Sequence, residues 1–220
     1  LQQIGRSLAN APVNLLQRTT DLQPDFNVEL TGGRSFETGW GSLGFVAVGG
    51  FENAWRSRSG KQQEGFVVSG TIEPRTDYDF VSTQNDAILN GLIGLGAEWE
   101  NHRIGLTNMY IHTTSKEARS RAGNDELAGA FVRDDFTEWF ERELFDTQLS
   151  GSHTFGSLAV DWRGSFATTS RDAPYEKGIR YRLVNDEYLH NASQEQNYTR
   201  FSEVEDEITS AGIDFAYTLP

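Results

Sequence analysis

No cysteine occurs in the 220 residues, so neither a disulfide framework nor a thiolate metal site or nucleophile is available. No stretch approaches the ~18 to 20 consecutive apolar residues of a membrane-spanning helix, and mean hydropathy is −0.53. Basic residues are too few to balance the acids: the formal charge of −13 opposes the clustered Lys and Arg grip that proteins use on phosphate backbones, and nucleic acid is excluded as a partner. The start at Leu1 shows no basic region followed by an apolar core, which makes a mature form or an excised segment the expectation. Coil heptads, solenoid repeats and low-complexity tracts are absent. The apolar share of 37% is also below the globular norm of roughly 45 to 50%.

What is present is alternation with a period of two, the signature of strands whose side chains point to opposite faces in turn. From Asp86, the residues Ala87, Leu89, Gly91, Ile93, Leu95, Ala97 and Trp99 share one face, and Asp86, Asn90, Gly94, Gly96 and Glu98 fall on the other. Leu158, Val160, Trp162, Gly164 and Phe166 alternate with Ala159, Asp161, Arg163, Ser165 and Ala167. Leu43, Phe45, Ala47, Gly49 and Phe51 share a face, as do Ala211, Ile213, Phe215 and Tyr217. Seven strands are predicted, over 28–36, 42–55, 86–99, 103–115, 137–153, 157–170 and 203–218. Many exceed the usual ~5 to 6 residues and satisfy the ~9 to 11 that cross a bilayer when tilted. Short connections at 37–41, 100–102 and 155–157 alternate with long ones at 56–85, 116–136 and 171–202. Tight periplasmic turns and long extracellular loops produce that order. The expected architecture is all-β, an antiparallel up-and-down transmembrane β-barrel, here a partial barrel of about seven or eight strands. Residues 25–220 form the barrel segment, and 1–24 read equally as helix or loop.

All five tryptophans fall near predicted strand ends, as membrane-interface aromatics do. Trp40, Trp99 and Trp162 lie beside short turns, and Trp55 and Trp139 beside long loops. Asp86, Glu98, Asp146, Asp161 and Asp214 take the polar parity, where a lumen hydrates them; at mid-membrane on the lipid face a charge costs ~2 kcal/mol or more. Glu141 and Glu143 break that parity and are expected above the bilayer, and Arg34 breaks it beside a turn.

The stretch SLGFVAVGGFENAWRSRSGKQQ at 42–63 and the block WFERELFDTQLSGSHTFGSLAVDWRGSFATTSRDAPYE at 139–176 resemble upstrokes, turns and loop starts of TonB-dependent outer-membrane receptors, a likeness covering roughly residues 24–220. The resemblance implies a barrel of about 22 strands in the cell outer membrane. It implies a plug and an inner-membrane TonB complex as partners, with energy-coupled uptake of a scarce nutrient such as a siderophore, vitamin or saccharide. The plug and the remaining strands are not in these residues, and Pro220 closes the sequence without the terminal aromatic of many such barrels. Outer-membrane lipid and a small-molecule nutrient are the other expected partners. A passive porin-like barrel and a soluble β-rich ligand-binding module are the competing readings.

Arg56, Arg58 and Lys61 in the first long loop, Arg119 and Arg121 in the second, and Arg180 and Arg182 in the third are the candidate ligand contacts. Guanidinium forks suit carboxylate, phosphate or ferric-chelate anions. The same loops hold 13 basic and 14 acidic residues, so a solvated loop surface or a lipopolysaccharide contact is the preferred reading of any single one of them. His102, His112, His153 and His190 have no nucleophile motif beside them. Residues 124–126 and 134–135 lack calcium-loop spacing. No enzyme activity, metal or cofactor is expected.

Overall fold

The computed structural model describes Leu22 and residues 24–191 and 197–219. The lead-in expected over 1–24 therefore falls almost wholly outside the described residues. The rest is one antiparallel sheet with no helix: β1 (Phe26–Glu37), β2 (Ser42–Val68), β3 (Thr71–Trp99), β4 (His102–Asp125), β5 (Ala130–Phe155), β6 (Leu158–Val184), β7 (Glu187–His190) and β8 (Tyr198–Tyr217). Each strand pairs with its predecessor, except that β7 and β8 both pair with β6. The Asn191 amide bonds to the Arg180 carbonyl and the Arg180 amide to the Asn197 side chain, so β7 and β8 are one interrupted stroke. Seven strokes thus run up and down, and the sheet is not closed.

The predicted turns at one end are all present, at Thr38–Gly41, Glu100–Asn101 and Gly156–Ser157. The long loops are not. Most of 56–85, 116–136 and 171–202 extends the strands into hairpins, which is why β2 to β6 reach 24 to 29 residues. Ser69–Gly70 and Asn185–Asp186 cap two of these tips with positive φ at both central residues, the type I′ geometry whose twist matches paired strands. Alternation vanishes in these extensions because the side chains buried there are polar as well as apolar, Tyr78 and Val132 beside Thr76, Asp125, Asp134 and Arg180, so burial leaves no apolar period.

Two bulges interrupt the ladders, and each carries a proline. Gly65 pairs with Pro74 and Glu64 with Thr76, leaving Arg75 as the extra residue. In β6, Asp172 pairs with Glu141 and Tyr175 with Trp139, while Ala173 pairs with Ser202 and Glu176 with Arg200. Pro174 is unpaired on both sides, as a residue without an N–H inside a sheet must be. The extra residue also reverses the parity of the upper half of β6, placing Arg180 directly opposite Asp134.

Register partners share a face, so the ladders test the alternation across the whole sheet. Phe45, Leu95, Leu106, Leu149, Gly164 and Ala211 lie on one row of one face. Asp86, Glu98, Asp146, Asp161 and Asp214 all take the other face. The apolar face is uncovered: Ile93 is 54% exposed, Leu95 49% and Phe215 66%. Its apolar stretch does not follow the rows. The top is Ala87 in β3, yet along its row stand Thr114, Glu141, Asp172 and Glu203. The last apolar side chains are instead Tyr110 in β4 and its register partner Phe145 in β5, four residues below the Ala87 row, then Phe166 in β6 two lower and Ala211 in β8 two lower again, an average fall of about two residues per strand from β3 to β8. Strands ~4.8 Å apart that rise ~3.3 Å per residue, tilted ~45° in a barrel wall, require a level band to drift by about 1.5 residues per strand.

Candidate functional site

At the lower edge of the apolar face, below this band, rings follow one another from the β1–β2 turn across β3 to β6. The Trp40 and Trp99 centroids are 6.2 Å apart, Trp99 and His102 5.6 Å, His102 and His153 5.2 Å, and His153 and Trp162 6.3 Å. Trp162 Nε1 donates to His153 Nε2 at 3.0 Å, and His153 Nδ1 lies 3.2 Å from His102 Nδ1. A neutral His153 that accepts from the indole carries its proton on Nδ1 and donates it to His102. Trp55 and Trp139 stand on one upper row, through Asn85 and Lys116. The obliquity puts Trp139 above the band at β5, where its indole donates to Glu141 at 3.1 Å and Lys116 lies over its ring at 4.2 Å. Glu141 and Glu143 lie above the band with it. Arg34 stacks on Phe36 at 5.0 Å.

The six candidate arginines are on strands, not loops, which corrects the sequence expectation. The ladders bring all six onto the polar face. They do not act alike. Arg180 is 3% exposed and binds Asp134 through two bonds of 2.6 and 2.7 Å and Asp125 through one of 2.8 Å. Arg121 donates to Asp134 at 3.0 Å and to Gln62 at 3.2 Å, and stacks on Tyr78 at 4.5 Å. Tyr78 donates to Asp125 at 2.9 Å. Two guanidinium groups and two carboxylates thereby saturate one another across β2 to β6. Burial pushes the Tyr78 hydroxyl up to about 12, reinforced by the Asp125 charge. Burial alone would raise Asp125, but the Ala128 amide, the Tyr78 hydroxyl and Arg180 outweigh it and hold that carboxyl below its usual range. Arg180 is raised by its bonds to Asp134. These two arginines form an ion-pair clamp near the tips of β3 to β6.

The other four are more open. Arg56 is exposed, Arg58 reaches Gln84 at 3.5 Å, Arg182 reaches the Gly129 carbonyl at 3.5 Å, and Arg119 stacks on Phe136 at 4.9 Å. A recess of about 100 Å³ beside Arg119 is also lined by Phe136, Gly178 and Tyr198. Below it Glu117, Glu138 and Glu176 share a row. Burial and its two glutamate neighbours raise Glu138. Lys61 lies on the opposite face and bridges Asp77 and Asp79 at 3.6 and 3.1 Å.

Thr114, His112 and Glu143 form a hydroxyl–imidazole–carboxylate chain on the apolar face, at 3.3 and 3.5 Å. Thr114 is in a strand paired on both sides, where backbone N–H groups serve the ladders, and no oxyanion donors converge on it. Among the described residues no three His, Asp or Glu side chains are placed to hold a metal ion. No described helix is long and apolar enough to cross a membrane.

Sequence reading missed Tyr78, Gln62, Asp125 and Asp134 as clamp partners. No fixed spacing marks them; the Ser69–Gly70 and Asn185–Asp186 dipeptides were the available signal for the hairpins that bring them together. Compared with known proteins, the chain matches no family model and no curated protein sequence.

Proposed function

We propose that this sheet is part of the wall of an outer-membrane β-barrel of the TonB-dependent receptor class, taking up a scarce small-molecule nutrient. The observation that carries the membrane assignment is the uncovered apolar band, oblique to the register by about the amount a tilted wall demands. A soluble module would have to leave Ile93, Leu95, Ile213 and Phe215 in water, an apolar area of the kind that marks an interaction surface. The rings from Trp40 to Trp162 fit the periplasmic interface, and the hairpin tips then project outward.

A receptor is favoured over an open porin by the polar face. Val46, Val48, Leu92, Met109, Ile111 and Leu144 form an apolar patch midway up it. A water-filled channel gains nothing from such a patch, whereas a plug would cover it. In this reading Arg56, Arg58, Arg119 and Arg182 face the vestibule through which an anionic or zwitterionic nutrient would pass.

The absence of cysteine makes the test clean. In the native outer membrane, a cysteine at Ile111 should react slowly with a membrane-impermeant maleimide if a plug lies over it, and one at Arg58 rapidly. Fast labelling at both positions would leave the porin. Stability of the purified protein as a monomer without detergent would remove the membrane reading altogether.

A further inference from the structure

One pair of guanidinium groups on the polar face stands outside the clamp. Arg142 in β5 and Arg171 in β6 are register partners, and nowhere else in the described ladders do two Lys or Arg residues face one another. Like charges directly opposite in an antiparallel pair destabilise it. Both side chains turn onto one ring, Phe140, at 5.7 and 4.4 Å. Phe140 pairs with Ser115 but has no partner in β6, because the bulge skips it. Neither guanidinium has an ionic or hydrogen-bonding partner among the described residues. Asp206 lies diagonal to Arg171, and Glu138 feels its charge, yet neither bridges it.

Beside the pair the face is apolar rather than acidic. Thr113 and Val204 continue the Arg142–Arg171 row on either side, and Ile111 and Leu144 stand on the row below. Together these side chains line a recess of about 370 Å³. Small-molecule sites of roughly 300–1,000 Å³ combine such an apolar lining with a few convergent polar groups. Val204 is 57% exposed, so apolar surface is open to a ligand directly beside two unpaired cations.

We propose that Arg142 and Arg171 together bind the carboxylate of an apolar monocarboxylic acid, whose hydrocarbon body lies on Ile111, Leu144 and Val204. Planar guanidinium forks match the two oxygens of a carboxylate, and an anion between them replaces one repulsion with two attractions. A hydrophilic anion such as phosphate would leave the apolar lining unmatched. The site deepens the uptake reading and rests on it for calling the ligand a nutrient; the binding itself needs neither plug nor membrane.

The test titrates the purified full chain, in non-ionic detergent, with phenylacetate, 2-phenylethylamine and inorganic phosphate, following binding by ligand-detected NMR. Phenylacetate should bind, and the amine and phosphate should bind at least about tenfold more weakly. Arg142→Gln and Arg171→Gln should each weaken phenylacetate by at least about tenfold, and Lys177→Gln, on the other face, should leave it unchanged. Thermal midpoints separate a binding role from a structural one. With the repulsion removed, each arginine variant should melt at or above the parent's temperature without ligand, and should lose the rise that phenylacetate gives the parent. No binding of phenylacetate, unchanged affinity in both arginine variants, or equal binding of the amine or of phosphate overturns the proposal. A lower midpoint in both ligand-free variants overturns it as well, by making the pair a structural tie. The titration runs equally well on a chain that stays monomeric without detergent, so the barrel reading can fail while this site stands, and the reverse.

Discussion

Trp162 lies against Gly151, its register partner on β5, so closely that a Cβ there would collide with the indole Cε2. A strand glycine gives up side-chain packing, and here the space is filled by the indole that also donates to His153. Gly151→Ala is therefore expected to displace the ring and break that bond, at a cost of about 1–3 kcal/mol for overpacking. Denaturation midpoints in detergent, with a shift in tryptophan emission, would check it. Gly164→Ala, on the same face with only the Ser210 carbonyl near at 3.9 Å, should cost less.

The oblique band separates residues that register alone would treat alike. Ile93 and Thr209 lie on one row, through Asn108, Thr147 and Phe166, but Ile93 is inside the band and Thr209 above it. On the membrane reading proposed above, Ile93→Arg is expected to lose about 2–4 kcal/mol of stability and Thr209→Arg less than about 1. Heat-modifiable gel mobility measures both. Equal losses would mean that the band follows the rows and that the wall is not tilted.

Whether the environment differs on the two sides of a strand decides what a sequence reveals. Between Asp86 and Trp99 one side is apolar and the other polar, so alternation located this part of β3 and its faces. Between Arg56 and Asn85 the buried positions are polar as often as apolar, Thr76 and Ser82 beside Tyr78, and the same period left no trace, although the backbone continues as strand through a type I′ turn. The arginines were visible as residue types, but which of them were occupied was not. Arg180 is clamped only because the bulge at Pro174 turns it toward Asp134, and a one-residue parity change cannot be read from composition or charge.

That clamp has a specific failure mode. Arg180→Met leaves Asp125 and Asp134 buried without their main counter-charge, and breaking a buried ion pair from one side costs about 3–5 kcal/mol. The damage should stay near the tips. Hydrogen exchange is expected to rise over 120–136 and 176–182 while the Trp99–His102 end keeps its protection. The double change Asp134→Leu with Arg180→Met, which removes charge from both sides, should recover much of the loss.

The tips should also respond to pH in opposite senses at two groups. Asp125 has a lowered folded pKa, so its contribution is present above the ordinary carboxylate range and is lost as pH falls through the folded value. Tyr78 is raised to about 12, so its contribution is complete below the unfolded value of ~10 and disappears as pH climbs through 12. Tip protection measured by limited proteolysis should hold between these limits and fail beyond either. Tyr78→Phe should remove the alkaline loss and leave an acid limit.

Glu138 carries the reverse sign from Asp125. Burial, with Glu117 and Glu176 beside it on the row, raises its folded pKa; ionising it therefore disfavours the folded state once pH passes the ordinary glutamate range. Glu138→Gln keeps the shape and removes the charge. It is expected to stabilise the hairpins at neutral pH and to have little effect below the ordinary glutamate range, where Glu138 is already protonated in both states. Thermal midpoints of the two proteins, compared at pH 7 and again in acid, provide the measurement. A gain of the same size in both conditions would show that the carboxylate row places no charge strain on the wall.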